Sequence, residues 1–325
     1  MPRIVDWDSH IGRRLSLREL YVFFVVVQAG SLAKAAARLG VTQPAVSQLI
    51  AALEHVIGAK LFDRSSRGAV PTMYGRALLK RGRAAFDELR QGIKEIEFLA
   101  DPTTGEVKFG CPEGLAPILP PMIENFCDRH PGVVLDIYEE EWITFAAKLR
   151  NRSIDFVLQR LHGRPQLDDP TFDDLNVETL FEDELVVAVG RDNPWRRRRK
   201  IDLAQLIDEP WILAAPPSWN HRIVSEACLT RGIKMPKVVL STFSTHIRMS
   251  MVASGRFVAT FPRSVASYYA ERFNLHILKI ELPSRPWPVA ILTLKNRTLG
   301  PAVELFIEHV RTSIPLLSGR LPSSR

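Results

Sequence analysis

Residues 31–58 read SLAKAAARLGVTQPAVSQLIAALEHVIG. The stretch predicts two helices joined by a tight turn. Ser31 suits the N-cap of the first, because its hydroxyl accepts from an orphan backbone N–H. Leu32, Ala35, Ala36 and Leu39 give that helix an apolar side made mostly of alanine, so another helix can approach closely. Gly40 stops it, since a left-handed backbone costs glycine little. Thr42 then caps a second helix, with Pro44 in the first turn, where a missing N–H is harmless.

The second helix has two faces. Val46, Leu49, Ile50, Leu53 and Ile57 recur at helical spacing and are expected to face a core. Gln43, Pro44, Ser47, Gln48 and His55 fall opposite, with Glu54 as the one carboxylate on that exposed side. Short and amide side chains at a helix N-terminus, without phosphate-repelling carboxylates, suit a helix that enters the DNA major groove. A helical hairpin buried in an ordinary core shares the same spacing, so the pattern alone leaves both readings open.

The flanking residues carry a more specific signal. Ala35-Ala36, the run Leu39 to Ser47, Leu53-Glu54, the run Ile57 to Arg64 and the run Pro71 to Gly75 together closely resemble the winged helix–turn–helix of LysR-type transcriptional regulators. The match covers roughly residues 15 to 75. The resemblance implies a multidomain chain: an N-terminal winged helix–turn–helix with a long linker helix, then an α/β, two-lobed, periplasmic-binding-protein-like effector domain. Its expected limits are 15–72 for the DNA-binding domain (helix–turn–helix about 32–51), 73–100 for the linker helix and 101–325 for the effector-binding domain. Lobe one would take about 105–182 and 283–316, and lobe two about 183–282; the return crossing between lobes is implied by the resemblance alone.

Composition agrees with such a plan. The chain has 325 residues, 46% of them hydrophobic, enough for about two domains with sizeable cores. Residues 1–100 hold 15 Lys/Arg against 9 Asp/Glu, whereas residues 101–325 hold 28 against 27. The positive charge thus sits in the segment expected to meet phosphates. Three scattered cysteines, Cys111, Cys127 and Cys228, form no C-x-x-C pair and suit a reducing cytosol rather than a disulfide scaffold or zinc site. No run approaches about 18 apolar residues. The N-terminus lacks a signal-peptide core, so a cytoplasmic, membrane-free protein is expected.

Residues 1–15 read as a polar lead-in whose Arg13 and Arg14 are placed to touch DNA backbone. Residues 16–29 predict a helix packing through Leu17, Leu20, Tyr21, Phe24 and Val27. Leu61-Phe62 and Ala69-Val70 predict a β-ribbon wing, with Arg64 and Arg67 as candidates for phosphate or minor-groove contact. From Thr72 a helix runs to about Leu99. Along it Leu79, Gly82, Phe86, Leu89, Ile93, Ile96 and Ala100 form a heptad seam, which implies pairing of two such helices. Gly82 and Gly92 each weaken this helix by about 1 kcal/mol, a cost that dimer packing is expected to offset. Asp101 to Gly105 breaks the pattern as a domain boundary. Beyond it strands and helices alternate, which predicts parallel sheets covered by helices.

Ligands of open α/β sheets bind beyond the carboxyl ends of strands. Glu113, Trp142, Thr144, Arg160, Ser244, His246 and Phe261 fall in such loops and are the candidate effector contacts, with Arg263 beside them. Helix N-termini at these junctions favour an anion, so an organic acid, aromatic or sugar-derived, is one reading. Glu113 stands where the family often has a small hydroxyl residue, and favours a hydroxylated neutral ligand instead. Ser244 also reads simply as a helix cap, and Arg160 as a partner of Asp168 or Asp169. Cys111 lacks a second cysteine placed to resolve a disulfide, which weakens a redox role. The basic run Arg196 to Lys200 reads as a solvated turn.

No nucleophile elbow, P-loop, zinc-protease motif or dinucleotide fingerprint is present, so no catalytic residue, metal or cofactor is expected. The combined reading is a sequence-specific regulator, an effector-responsive activator or a repressor of the same family. Thr42, Gln43, Pro44, Ser47, Gln48, Arg64 and Arg67 would contact double-stranded promoter DNA. RNA polymerase and further copies of the chain, as homodimer or homotetramer, would be its protein partners. A cytosolic binding protein without promoter specificity is the rival reading.

Overall fold

The computed structural model describes residues 15–65, 68–161, 170–216, 218–282 and 286–314. It divides into two compact units, Met1–Arg90 and Gln91–Arg325.

The first unit opens with helices α1 (Leu17–Ala29), α2 (Leu32–Leu39) and α3 (Gln43–Ile57). Ser16 caps α1 with a capping box to Glu19, and Ser31 and Thr42 cap the next two helices. Gly40 lies at φ 66°, and the amide of Val41 closes back onto the carbonyl of Ala36 at 3.1 Å, which sets the turn between α2 and α3. Strands β1 (Phe62–Ser65) and β2 (Gly68–Pro71) pair antiparallel as the ribbon, and helix α4 (Met73–Ala100) follows. One core gathers Leu20, Phe23, Val26, Ala35, Ala36, Val46, Ile50, Leu53, Leu61 and Ala69. Burying each large aliphatic among them contributes roughly 1.5–3 kcal/mol.

Three expectations for this unit need correction. Leu17 and Tyr21 are exposed; Leu20 is buried as expected, but with Val22, Phe23, Val25 and Val26, while Phe24 and Val27 pack only partly against that core. The helix is apolar nearly all round, so spacing could not choose the inward stripe. Gly82 is not a weakness offset by a partner helix: a Cβ there would come 2.7 Å from Cζ of Phe24, so the glycine lets α1 pack closely on α4 within the chain. Glu54 is buried, not exposed.

The second unit holds two sheets. In the first, the strands are β3 (Thr104–Gly110), β4 (Gly132–Tyr138), β5 (Phe156–Arg160), β6 (Leu175–Asp183) and β12 (Trp287–Leu294). They run in the order β4-β3-β5-β12-β6, flanked by α5 (Pro120–Arg129), α6 (Trp142–Arg150) and α10 (Pro301–Thr312). The second sheet has β7 (Leu185–Gly190), β8 (Trp211–Leu213), β9 (Val238–Ser241), β10 (Val258–Pro262) and β11 (Leu275–Ile277). Its order is β11-β7-β10-β8-β9, with α7 (Trp219–Thr230), α8 (Thr245–Ala253) and α9 (Arg263–Tyr268) around it. The chain leaves the first sheet after Asp183 and returns at Trp287.

Both sheets are mixed rather than parallel throughout. β3 pairs in parallel with β4 and β5, and β8 with β9 and β10, as the alternation predicts. The strands next to the crossings, β6, β7 and β12, pair antiparallel. A strand entering from the other sheet is not bound to the right-handed crossover that makes neighbours parallel. Phe109, Phe126, Phe156 and Phe306 from one lobe share a core with Val186, Ala188, Met249 and Phe261 from the other. Outer faces are covered separately, by the Trp211–Leu213–Val224 cluster and the Phe145–Leu149–Leu292 cluster.

Candidate functional site

Helix α3 turns Val46, Ile50 and Leu53 into the core, with Leu49 and Ile57 partly buried. Thr42, Gln43, Pro44 and Gln48 are exposed and Ser47 half-buried, so these residues share the outward face at the helix N-terminal end. The Thr42 hydroxyl accepts from the amide of Ala45 at 3.4 Å. Glu54 Oε1 accepts from the Leu61 amide at 2.8 Å, and Oε2 from Lys60 Nζ at 2.7 Å. Burial acts to raise its pKa, but the bonds from Lys60 and from the Leu61 and Phe62 amides outweigh it and hold the carboxyl below its usual value. The outward face therefore carries no carboxylate between Gln43 and Ile57. Arg67 and the side chain of Arg64 lie outside the described residues, as do Arg13 and Arg14.

Along α4 the apolar seam splits in use. Leu78, Leu79 and Phe86 pack on the first unit's core, with the Phe24 and Phe86 rings 5.3 Å apart. Leu89, Ile93, Ile96 and Leu99 are 48%, 58%, 68% and 74% exposed.

The second unit holds a cleft of about 510 Å³ between its two sheets, within the range of small-molecule sites. Glu113, Trp142 and Arg160 line it, as their positions at strand ends predict. His246 lines a neighbouring cavity of about 310 Å³, which it shares with Glu113. Thr144, Ser244 and Phe261 are outside the cleft wall. Thr144 is exposed; Ser244 caps α8 by accepting from the Ile247 amide at 3.3 Å; Phe261 is buried beneath Arg248. Arg263 pairs with Glu184 at the surface.

Two charged contacts join the lobes at the cleft. Glu113, after β3, accepts from the Thr245 amide and hydroxyl at the start of α8. Arg248 donates from Nη2 to the Thr245 hydroxyl and from Nη1 to the Thr260 carbonyl, both at 3.0 Å. Burial pulls its guanidinium down to about 10, with Glu113 opposing. Arg160 donates to Asp183 at 2.9 Å, and Asp183 also accepts from the Ser264 hydroxyl at 2.6 Å and amide at 3.1 Å. The partner of Arg160 is thus Asp183, brought beside it by β12; Asp168 and Asp169 lie outside the described residues.

The wall also contains residues that sequence reasoning passed over: Ser218, Trp219, Asn220 and Arg248. The first three open α7 after β8, a strand-to-helix junction of the same kind as those chosen. Arg248 follows Thr245 by one helical turn, so its side chain reaches back to the helix start. Among wall groups, Glu140 Oε2, Gln159 Oε1, Arg160 Nε, Asn220 Oδ1 and Arg248 Nε are buried without a hydrogen-bond partner. Buried polar groups are normally satisfied, so a cluster around one cleft marks a place built for polar contact. Cys111 is fully buried, and burial pushes its thiol far above the ordinary range, which removes nucleophilic character. The run from Arg196 to Lys200 is exposed throughout.

Residues 17–76 match the bacterial regulatory helix-turn-helix protein family, lysR type, and residues 100–315 match the LysR substrate binding domain. The chain is 28% identical over 304 residues to the HTH-type transcriptional regulator GbpR of Azospirillum brasilense, covering 92% of this chain and 87% of that protein. Full-length OxyR from Pseudomonas aeruginosa shares the fold with a TM-score of 0.59 at 23% identity, over 96% of this chain and 98% of that one. Full-length CbnR, solved in complex with its target DNA, matches with a TM-score of 0.50 at 23% identity, over 92% of this chain and 100% of that one.

Proposed function

For a chain that belongs to the LysR family of bacterial helix-turn-helix transcriptional regulators, we propose a division of labour between the face of α3 and the cleft between the sheets. Gln43, Pro44, Ser47 and Gln48, positioned by the Thr42 cap, read base edges in the major groove of promoter DNA. Arg64 and Arg67 hold phosphates. The observation that supports this is the sidedness of α3: its single carboxylate is turned inward and its outward N-terminal end carries amides and hydroxyls.

The cleft takes a small-molecule effector through its buried, unpartnered polar groups. A ligand that binds one lobe arrangement better than another shifts the population towards it. In this reading the exposed stripe from Leu89 to Leu99 pairs two chains, further contacts build a homotetramer, and the effector-bound state activates transcription in the cytoplasm by favouring RNA polymerase.

Gel-shift titrations on an operator and its scrambled counterpart test the base-reading role. Gln43→Ala should cost about 1–3 kcal/mol on the operator and little on scrambled DNA, whereas Arg67→Ala should weaken both alike. Equal losses on both DNAs for Gln43→Ala would remove Gln43 from the reading face.

A further inference from the structure

The charges around the cleft restrict what it accepts, given that the cleft is the effector site. Helix α8 has nine residues and begins with Thr245, and Arg248, one turn behind, lines the cleft. A helix N-terminus with a hydroxyl and a guanidinium beside it is an anion seat. The chain fills this seat itself: the Glu113 carboxylate accepts from the Thr245 amide, and from the Thr245 hydroxyl at 2.9 Å. The other buried cation, Arg160, is already compensated by Asp183 at 2.9 Å. The remaining charged groups on the wall are Glu139, Glu140 and Glu141, with Glu140 held by Lys148 at 2.7 Å. An incoming carboxylate would meet neutralised cations and further negative charge.

What stays available suits hydroxyl groups. Gln159 Oε1, Asn220 Oδ1 and Glu140 Oε2 are acceptors, Arg160 Nε and Arg248 Nε are donors, and all five are buried without partners. A hydroxyl both donates and accepts, so vicinal hydroxyls can satisfy such a mixed set. Trp142, Trp219 and Phe243 add flat apolar walls against which the C–H face of a ring can lie. We propose that the cleft takes a neutral, polyhydroxylated ring ligand of the monosaccharide class, with Glu113 acting as a tethered anion that excludes carboxylate effectors.

The test uses the full-length protein in thermal-shift and calorimetric titrations. Neutral probes are D-glucose, D-galactose, D-xylose, D-ribose and myo-inositol; anionic probes are acetate, succinate and benzoate. At least one neutral probe should raise the melting temperature saturably, and Asn220→Ala should abolish the effect. No carboxylate should do so in the wild type. Glu113→Ala empties the seat and should gain a saturable response to acetate, about 3–6 °C at ten times the dissociation constant. Glu113→Gln keeps the seat occupied and should gain none.

Silence of every neutral probe, or a wild-type response to a carboxylate that Asn220→Ala removes, overturns the ligand class; the second result leaves the cleft as the effector site. A cell-extract ligand whose binding is indifferent to both Asn220 and Glu113 overturns the cleft reading itself. If Glu113→Ala fails to fold, the wild-type titrations still decide the class.

Discussion

Replacing Glu54 separates a structural carboxylate from one that faces DNA. Its side chain is 4% exposed, while that of Lys60 is 79% exposed. The bond to the Leu61 amide, buried and accepted by a charged oxygen, contributes about 1.5–3 kcal/mol. The pair with the solvated Lys60 adds about 0–1 kcal/mol. Glu54→Ala also strands the Leu61 N–H, so the total loss should be about 2–4 kcal/mol, and Glu54→Gln, which keeps an acceptor, should lose about 1–2 kcal/mol. In a fragment of residues 1–90, a compact unit, the alanine variant should melt about 10–25 °C lower. The sign with pH follows from a carboxyl held below its unfolded value near 4.5. Its stabilisation is complete above that value and is lost as pH falls through the folded one. Denaturation profiles of wild type and Glu54→Gln should therefore be separated at pH 7 and converge below about pH 4.5. Equal stability at pH 7, together with tighter DNA binding by the glutamine variant, would place Glu54 on the outward face and refute the argument.

Three further outcomes follow from packing and pairing. Gly82→Ala, despite its gain in helix propensity, should destabilise by about 1–3 kcal/mol in urea titrations because its Cβ meets Phe24, whereas Gly92→Ala, with nothing within 4 Å, should stabilise by about 0.5–1 kcal/mol. Ile93→Asp with Ile96→Asp should leave the circular dichroism spectrum unchanged and lower the mass in sedimentation equilibrium; an unchanged mass would show that the stripe pairs nothing. Arg160→Ala should cost about 3–5 kcal/mol by leaving Asp183 buried without its cation, measured as loss of calorimetric stability of the second unit.

The helix pair was legible because its punctuation is local: Ser31, Gly40, Thr42 and Pro44 each fix one end of a helix through their own backbone and side-chain chemistry. The inward stripe of α1 was not, since LYVFFVVV offers apolar groups in every direction. Glu54 was misassigned because its burial depends on Leu61, seven residues on and past a turn, which helical periodicity does not register. Strand β6, LNVETLFED, carries little local strand signal for a related reason: it is an edge strand rich in polar residues, specified mainly by its pairing with β12 more than a hundred residues later. Three cleft residues were reached from the rule that ligands sit beyond strand ends. The contact of Glu113 with Thr245 required the lobes to be brought together, and that of Arg160 with Asp183 required β12 to seat between β5 and β6; no spacing along the chain encodes either.

Retention of genomic fragments by the purified full-length protein, in competition with random DNA and with effector-containing cell extract added or withheld, probes the outward face of α3 most directly. A small set of fragments should be held about a thousand-fold or more above random competitor, with Gln43→Ala and Gln48→Ala reducing that ratio. Uniform retention of all DNA under both conditions, unchanged by either substitution, would contradict it.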